Sequence, residues 1–335
     1  MRKIRLVAGL AAVVLGAAAC SAIDTGTGSS NAGDNGGGTE TSAIPESCKS
    51  HEALLAVLLP NQTNPYYVAM KEGFETAAKD NGFKAEIQIA EDDDAQQLAQ
   101  AEALLQKKPC ALALNPVKSE PSAAIVKSAN DAGVPVFTVN VIVDEDALNA
   151  QQGRIVQYLG ADNKAGGVQT AEQVLKDMGD DAKMVIGFVT EPDEVPVVIR
   201  DEGFKETISK NSNAEVVATV DGNVKATDSL NVTTEMLQGN PNLNVIFAST
   251  GPAAQGALEA VKASGRDVKV YGFCAPELEL TSQYPGCVAQ EPADYGKRVV
   301  EQIRKYVDGE KVENEILRPL KLYVEGETPA PGEVG

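Results

Sequence analysis

The chain has 335 residues, enough for about two domains. Its formal net charge is −19, near −22 once the three basic residues of its leader are set aside. So acidic a chain is a poor partner for nucleic acid or for an anionic lipid surface. It holds one His and no Trp. A lone histidine, His51, supports neither a Ser-His-Asp nor a Cys-His arrangement. No CxxC, HExxH or EF-hand pattern occurs, there is no P-loop, and no GxGxxG follows the first apolar run. The composition points away from an enzyme and calls for no cofactor and no metal.

In chain order, residues 1–19 read as an export signal. Arg2, Lys3 and Arg5 precede the apolar stretch Leu6 to Leu15, and Ala17-Ala18-Ala19 is a small-residue cleavage site. Cys20 follows at once, which makes it the expected lipidation site. Plain cleavage and free secretion is the alternative. Residues 20–50 are then a lipidated cysteine and a flexible tether, rich in Gly, Ser, Thr and Asn with few apolar side chains to bury. With Cys20 assigned to lipid, Cys48, Cys110, Cys274 and Cys287 remain. An even number in an exported chain suggests two disulfides. Three pairings exist. Cys48–Cys110 with Cys274–Cys287 is favoured, because Cys48 precedes the first strand and Cys110 opens the third.

From Glu52 onward short apolar runs alternate with amphipathic segments. Strands are predicted over Ala53–Leu59, Lys84–Ala90, Cys110–Leu114 and Val134–Val139. Helices are predicted over Pro65–Asn81, Ala95–Lys107 and Pro121–Ala132. Asn64 is a fitting N-cap, with Pro65 at the first helical position. The layout repeats after the strand Ile155–Leu159. Helices are expected over Ala165–Met178, Val197–Asn211, Thr227–Gln238, Pro252–Ala263 and Tyr295–Val307, and a short one near Leu278. The strands between them are Met184–Val189, Ala214–Val220, Val245–Ala248, Val268–Phe273 and Cys287–Ala289, with Leu317–Val324 last. The Gly/Pro-rich end after Glu325 reads as a frayed tail. Such alternation means parallel sheets with helices on both faces, an α/β class.

In open α/β sheets ligands bind beyond the carboxyl ends of the strands. There the chain carries Asn64, Asn115, Asn140, Thr250, Cys274 and Gln290, joined by Arg200 on the helix after Met184–Val189. Tyr66 and Tyr67 stand at the same mouth, with apolar faces and polar tips. A ring of donors and acceptors with a few aromatics suits a binding cleft and needs no nucleophile. Glu91-Asp92-Asp93-Asp94 is expected to cap the following helix rather than hold a metal. Glu191, Asp193 and Glu194 fit either a solvated turn or pocket acceptors.

Several motifs in order resemble the ribose-binding class of periplasmic sugar-binding proteins. They are Pro60-Asn61-Gln62-Thr63-Asn64-Pro65-Tyr66-Tyr67, Leu114-Asn115-Pro116, Gly160-Ala161-Asp162-Asn163 and Arg200-Asp201-Glu202-Gly203-Phe204. Tyr271-Gly272-Phe273 and Val288-Ala289-Gln290 follow. The resemblance implies a type I periplasmic binding protein fold: two doubly wound parallel-sheet domains joined by a three-crossing hinge, near Ala161, Gln290 and Arg318. The N-terminal lobe would comprise 51–161 plus 291–318, the C-terminal lobe 162–290 plus 319–325, and 326–335 a tail. It implies a solute receptor of an ABC importer, with a small polyhydroxylated ligand and a membrane permease as partners. Such a receptor would be a monomer held by lipid on the outer face of the cytoplasmic membrane.

Matched by position, Asn64, Tyr66, Tyr67, Arg200 and Gln290 would hold the ligand. Asn140-Val141 replaces an Asp-Arg pair, Thr250-Gly251 an Asn-Asp pair, and Cys274 the Asp of a Gly-Phe-Asp. The expected ligand residues are therefore Asn64, Tyr66, Tyr67, Asn140, Arg200, Thr250, Cys274 and Gln290. The substitutions argue against ribose itself. A sensor reporting ligand to a membrane kinase, and a binder of a sugar acid, stay open beside the importer reading.

Overall fold

The computed structural model describes residues 44–335, except His51 and Asp180. The leader 1–19, Cys20 and most of the tether lie outside the described residues. The last part of the tether does not conform to its expectation. Glu46–Lys49 forms a 3-10 turn, and its Cys48 is buried and bridged to Cys110.

The first half of the chain runs β1 (Ala53–Leu59), α1 (Pro65–Asp80), β2 (Phe83–Ile89), α2 (Asp94–Leu105), β3 (Ala111–Leu114), α3 (Ser122–Asp131), β4 (Val136–Val139), α4 (Glu145–Ala150) and β5 (Gln157–Ala161). The second half runs α5 (Asn163–Met178), β6 (Met184–Thr190), α6 (Val195–Ile208), β7 (Ala214–Asp221), α7 (Ala226–Gly239), β8 (Val245–Ala248), α8 (Gly251–Ser264), β9 (Lys269–Phe273) and β10 (Gly286–Ala289). After it come α9 (Pro292–Val307), β11 (Glu315–Arg318) and β12 (Lys321–Val324).

The strands form two six-stranded sheets, ordered β11-β5-β4-β3-β1-β2 and β12-β10-β9-β8-β6-β7. All pairings are parallel except β10 with β12. Central strands such as β3, β4 and β8 are buried on both faces, which is why they read as unbroken apolar runs. The chain passes between sheets three times: after β5, after β10 and between β11 and β12.

Local signals start the helices. Asn64 Oδ1 accepts from Tyr66 N at 3.0 Å, Asp93 Oδ1 from Gln96 N at 2.9 Å and Thr250 Oγ1 from Ala253 N at 3.2 Å. Such caps satisfy donors that have no partner inside the helix. The two disulfides are Cys48–Cys110 and Cys274–Cys287, as favoured. The reason also holds, since β1 and β3 are neighbours with Leu55 opposite Ala111.

Four expectations differ. Leu317–Val324 is not one strand: Pro319 has no N–H to continue a ladder, and the chain crosses there from one sheet to the other. No helix forms near Leu278. Tyr284 instead ties that loop, its hydroxyl receiving Ala275 N at 3.0 Å while Thr281 pairs with Tyr284. An unexpected helix, α4, is capped by Asp144, which accepts from Ala147 N at 2.8 Å. The end after Glu325 is not frayed: Val334 pairs antiparallel with Gln290, and Val334 and Gly335 are buried.

Candidate functional site

Between the sheets, the N-terminal lobe contributes a cluster of phenols and amides. Tyr66 and Tyr67 open α1 and meet edge to face, ring centroids 5.4 Å apart. Tyr66 Oη lies 2.9 Å from Asn140 Oδ1 and 3.1 Å from Gln290 Oε1. Tyr158, on β5, donates to the Asn140 carbonyl at 2.9 Å. Asn140 takes a left-handed backbone, φ 63°, just past β4. Burial pushes the phenols of Tyr66 and Tyr67 well above their ordinary pKa, so both remain neutral donors. Nearby Tyr295 of α9 is 1% exposed, and its hydroxyl has no hydrogen-bond partner among the described residues. Asn115 is fully buried too: its amide meets Met70 Sδ while its Oδ1 has no partner among the described residues.

From the C-terminal lobe comes Arg200, 4% exposed. Its Nε donates to Asn163 Oδ1 and its Nη1 to the Ser249 carbonyl, both at 2.8 Å. The guanidinium carbon stands 3.9 Å from the centre of the Phe273 ring, a cation–π arrangement. Phe204, four residues on along α6 and so on the same face, locks the helix onto Phe188 and Phe247. Close backbone contact fixes α5 against α6. A Cβ on Gly167 would meet Arg200 O at 2.0 Å, and one on Gly203 would meet Lys164 O at 2.4 Å. Only glycine permits that approach, and it brings Asn163 to Arg200. Asp201 braces the same region, accepting from Thr190 Oγ1 at 2.6 Å and Ser249 Oγ at 2.5 Å.

The acidic loop after β6 is not a solvated turn throughout. Glu191 is 7% exposed, and burial pushes its carboxyl to about 7. Burial first, then the neighbouring Glu191, raises Glu194 to about 8, against the opposing pull of Arg200. Burial likewise lowers the Arg200 pKa, with Tyr66 and then Glu194 acting in opposition. Asp193 alone behaves as expected of a turn. It is exposed and pairs with Lys118 of the other lobe at 2.7 Å. Beside that pair Ser119 N donates to Asp193 O at 3.2 Å, and Val195 N to Ser119 Oγ at 2.9 Å. These bonds join the two lobes across the mouth. A cavity of about 380 Å³ opens beside them, lined by Asp94, Lys118, Asp144 and Asp193, and none of the residues expected to hold ligand lines it.

Tyr66, Tyr67, Asn140, Arg200 and Gln290 thus border one buried polar region. Three other expected ligand residues are committed elsewhere. The acceptor oxygen of Asn64 caps α1. Thr250 caps α8. The Cys274 sulfur is bridged to Cys287 inside the C-terminal core, so it has no proton to donate. Tyr158, Asn163, Ser249 and Tyr295 were not anticipated. For Asn163 the signal was present in the motif Gly160-Ala161-Asp162-Asn163. For Tyr158 and Tyr295 it was only an aromatic within a strand or a helix.

The family model described as "Periplasmic binding protein domain" matches residues 55–311. The chain belongs to the periplasmic binding protein family. Within it the chain is of the ribose type, a substrate-binding protein and not an enzyme. The ribose import binding protein of Bacillus subtilis (strain 168) is 32% identical over 277 residues, covering 81% of this chain and 87% of that protein. Two solved structures share the fold. An ABC transporter solute binding protein from Agrobacterium vitis, bound with α-D-tagatopyranose, is 22% identical with a TM-score of 0.73, covering 82% and 95% of the two chains. One from Actinobacillus succinogenes 130z with bound D-allose is 24% identical with a TM-score of 0.73, covering 82% and 98%. No helix among the described residues is long and apolar enough to cross a membrane.

Proposed function

We propose that this binding protein is an extracytoplasmic lipoprotein. It captures a small neutral sugar or polyol between its lobes and delivers it to the permease of an ABC importer. The observation that carries the ligand class is the Tyr66–Asn140–Gln290 contact, drawn from both lobes. Phenols and amides both donate and accept, which is what vicinal hydroxyl groups require, and aromatic faces suit the C–H surface of a sugar ring. Charge supports neutrality. A buried guanidinium needs partners, and Asn163, the Ser249 carbonyl and the Phe273 ring supply them from the protein, so the ligand need not bring a carboxylate. The sugars named for the similar proteins, ribose, tagatose and D-allose, are neutral as well. The unpartnered Asn115 Oδ1 and Tyr295 hydroxyl are further candidates to face ligand.

The anchor rests on the small residues before Cys20 and the polar tether after it, and the chain acts as a monomer. Thermal-shift and calorimetric titration with D-ribose, D-allose, myo-inositol and the corresponding sugar acids tests the ligand class. Neutral compounds should bind, and tight binding of an acid alone would overturn the choice. Cys20→Ala should release the protein into the medium, and retention in the membrane fraction would refute the anchor.

A further inference from the structure

The segment following β12 turns back along the C-terminal lobe and ends on the residues that border the cleft. Glu333 N donates to Ala330 O at 2.9 Å, closing a turn. The Glu333 carboxylate takes Lys321 Nζ at 3.1 Å and the Tyr323 hydroxyl, and Ala330 N donates to Tyr323 Oη at 3.3 Å. Val334, 3% exposed, then exchanges both backbone hydrogen bonds with Gln290, at 2.8 and 3.1 Å. Gly335 N donates to Cys274 O, and Gly335 O accepts from Gly251 N in the first turn of α8, both at 2.9 Å.

These contacts lie over the carboxyl ends of β8, β9 and β10, where the fold exposes its ligand-facing backbone. The fit is close. A Cβ on Gly335 would stand 2.4 Å from Cys274 N, and one on Gly251 2.7 Å from Gly335 O. The side chains at those strand ends offer a ligand little, since Thr250 caps α8 and Cys274 is in a disulfide. Yet the neighbours of the segment do face the cleft. Gln290 reaches Tyr66 across the lobes, and Phe273, against which Gly335 packs, lies beneath Arg200.

The geometry points to residues 330–335 as a fixed wall of the binding cleft, one that sets the size of sugar admitted. The inference rests on the sugar-binding reading above. The wall replaces ligand-directed side chains at positions 250 and 274 with backbone. It occupies volume that the added hydroxymethyl group of a hexose would otherwise use, and it orients Gln290 through the Val334 pairing.

The test compares the full chain with a variant lacking residues 330–335 and with Glu333→Gln, which loosens the anchor without shortening the segment. D-ribose and D-allose serve as probes. Deletion should weaken binding of D-ribose at least tenfold and shift the affinity ratio at least fivefold toward the hexose, with Glu333→Gln moving the same way by less. Hydrogen exchange, which needs no sugar, should show faster exchange at the Gly251 and Gln290 amides and at Tyr66 in the opposite lobe. An affinity ratio unchanged by deletion in a variant that melts cooperatively overturns the inference. If neither sugar binds the intact chain, the titrations above, myo-inositol included, decide the sugar reading. Exchange alone then decides the wall, and unchanged protection at Gly251, Gln290 and Tyr66 overturns it.

Discussion

Tyr66 Oη and Gln290 Oε1 stand 3.1 Å apart although 224 positions separate them in the chain. One belongs to the first helix of the N-terminal lobe, and the other follows the strand from which the chain crosses back. A phenol has one proton, and Tyr66 faces two amides, Asn140 and Gln290. It donates to one and accepts from the NH₂ of the other, since amide O and N exchange by a flip. That arrangement ties the lobes at the hinge side of the cleft.

Tyr66→Phe removes this hydroxyl and leaves two buried amides short of a partner, a cost of about 1–3 kcal/mol. Affinity for a neutral sugar should fall about tenfold or more, while the ring packing against Tyr67 persists. Calorimetric titration of the variant beside Tyr67→Phe checks this. An equal loss in both would mean that the Tyr66 hydroxyl has no special part.

Stability should fall as pH rises through neutrality. Burial raises the carboxyls of Glu191 to about 7 and of Glu194 to about 8, above their ordinary 4.5. Between about 4.5 and 8 the folded chain therefore holds protons that the unfolded chain has released. By linkage the contribution is full below pH 4.5 and is lost as pH climbs through 7 to 8. Melting temperature should fall from pH 5 to about 8 and level off above it, and Glu194→Gln should flatten the slope. A profile identical in the variant would dissociate Glu194 from it.

The disulfides should differ in weight. Cys48–Cys110 closes 62 residues and Cys274–Cys287 closes 13. The chain-entropy model then gives about 4 kcal/mol for the first and about 3 kcal/mol for the second. Replacing each pair by alanines should lower the melting temperature, more so for Cys48–Cys110. Only loss of the second, at the carboxyl end of β9 against Gly335, should also weaken ligand binding. Denaturant melts and titration of the two double variants provide the comparison.

Much of this was legible because parallel α/β layers write themselves into sequence. Buried strands are apolar runs, and Asn64 and the Glu91-Asp92-Asp93-Asp94 cluster announce helix starts by chemistry that acts within three residues. The alternation could not say which sheet a strand joins, so Leu317–Val324 read as one element. Only the tertiary path shows that Pro319 separates two. Residues 330–335 look unstructured because their order comes from backbone bonds to distant residues, with Val334 as their only buried large side chain. Asn64, Thr250 and Cys274 stand where a ligand residue would, but local capping takes the acceptor oxygens of the first two and a cross-strand bridge the sulfur of the third. Glu191 and Glu194 could not be separated from Asp193 in sequence, since burial, not residue type, distinguishes them.

Arg200 provides the sharpest test of ligand charge. Asn163 and the Ser249 carbonyl hold two of its nitrogens, and Phe273 lies under the guanidinium plane. Arg200→Ala removes both bonds and leaves Glu194 without its opposing cation. Affinity for a neutral sugar should fall at least tenfold, or about 1.4 kcal/mol. Arg200→Lys should recover little, because an ammonium can neither stack flat on Phe273 nor keep the two-directional fork. The double variant Arg200→Ala with Glu194→Gln separates the alternatives. If Glu194 leans on Arg200 and the ligand is neutral, the two changes are non-additive: Glu194→Gln costs less once Arg200 is gone, because the interaction between them is already lost. If the ligand brings the carboxylate, removing Glu194 alone should tighten its binding. Titrating a neutral sugar and its acid against the four forms of this cycle reads both outcomes. Tighter binding of the acid by Glu194→Gln, with the neutral sugar silent throughout, would reverse the assignment of charge.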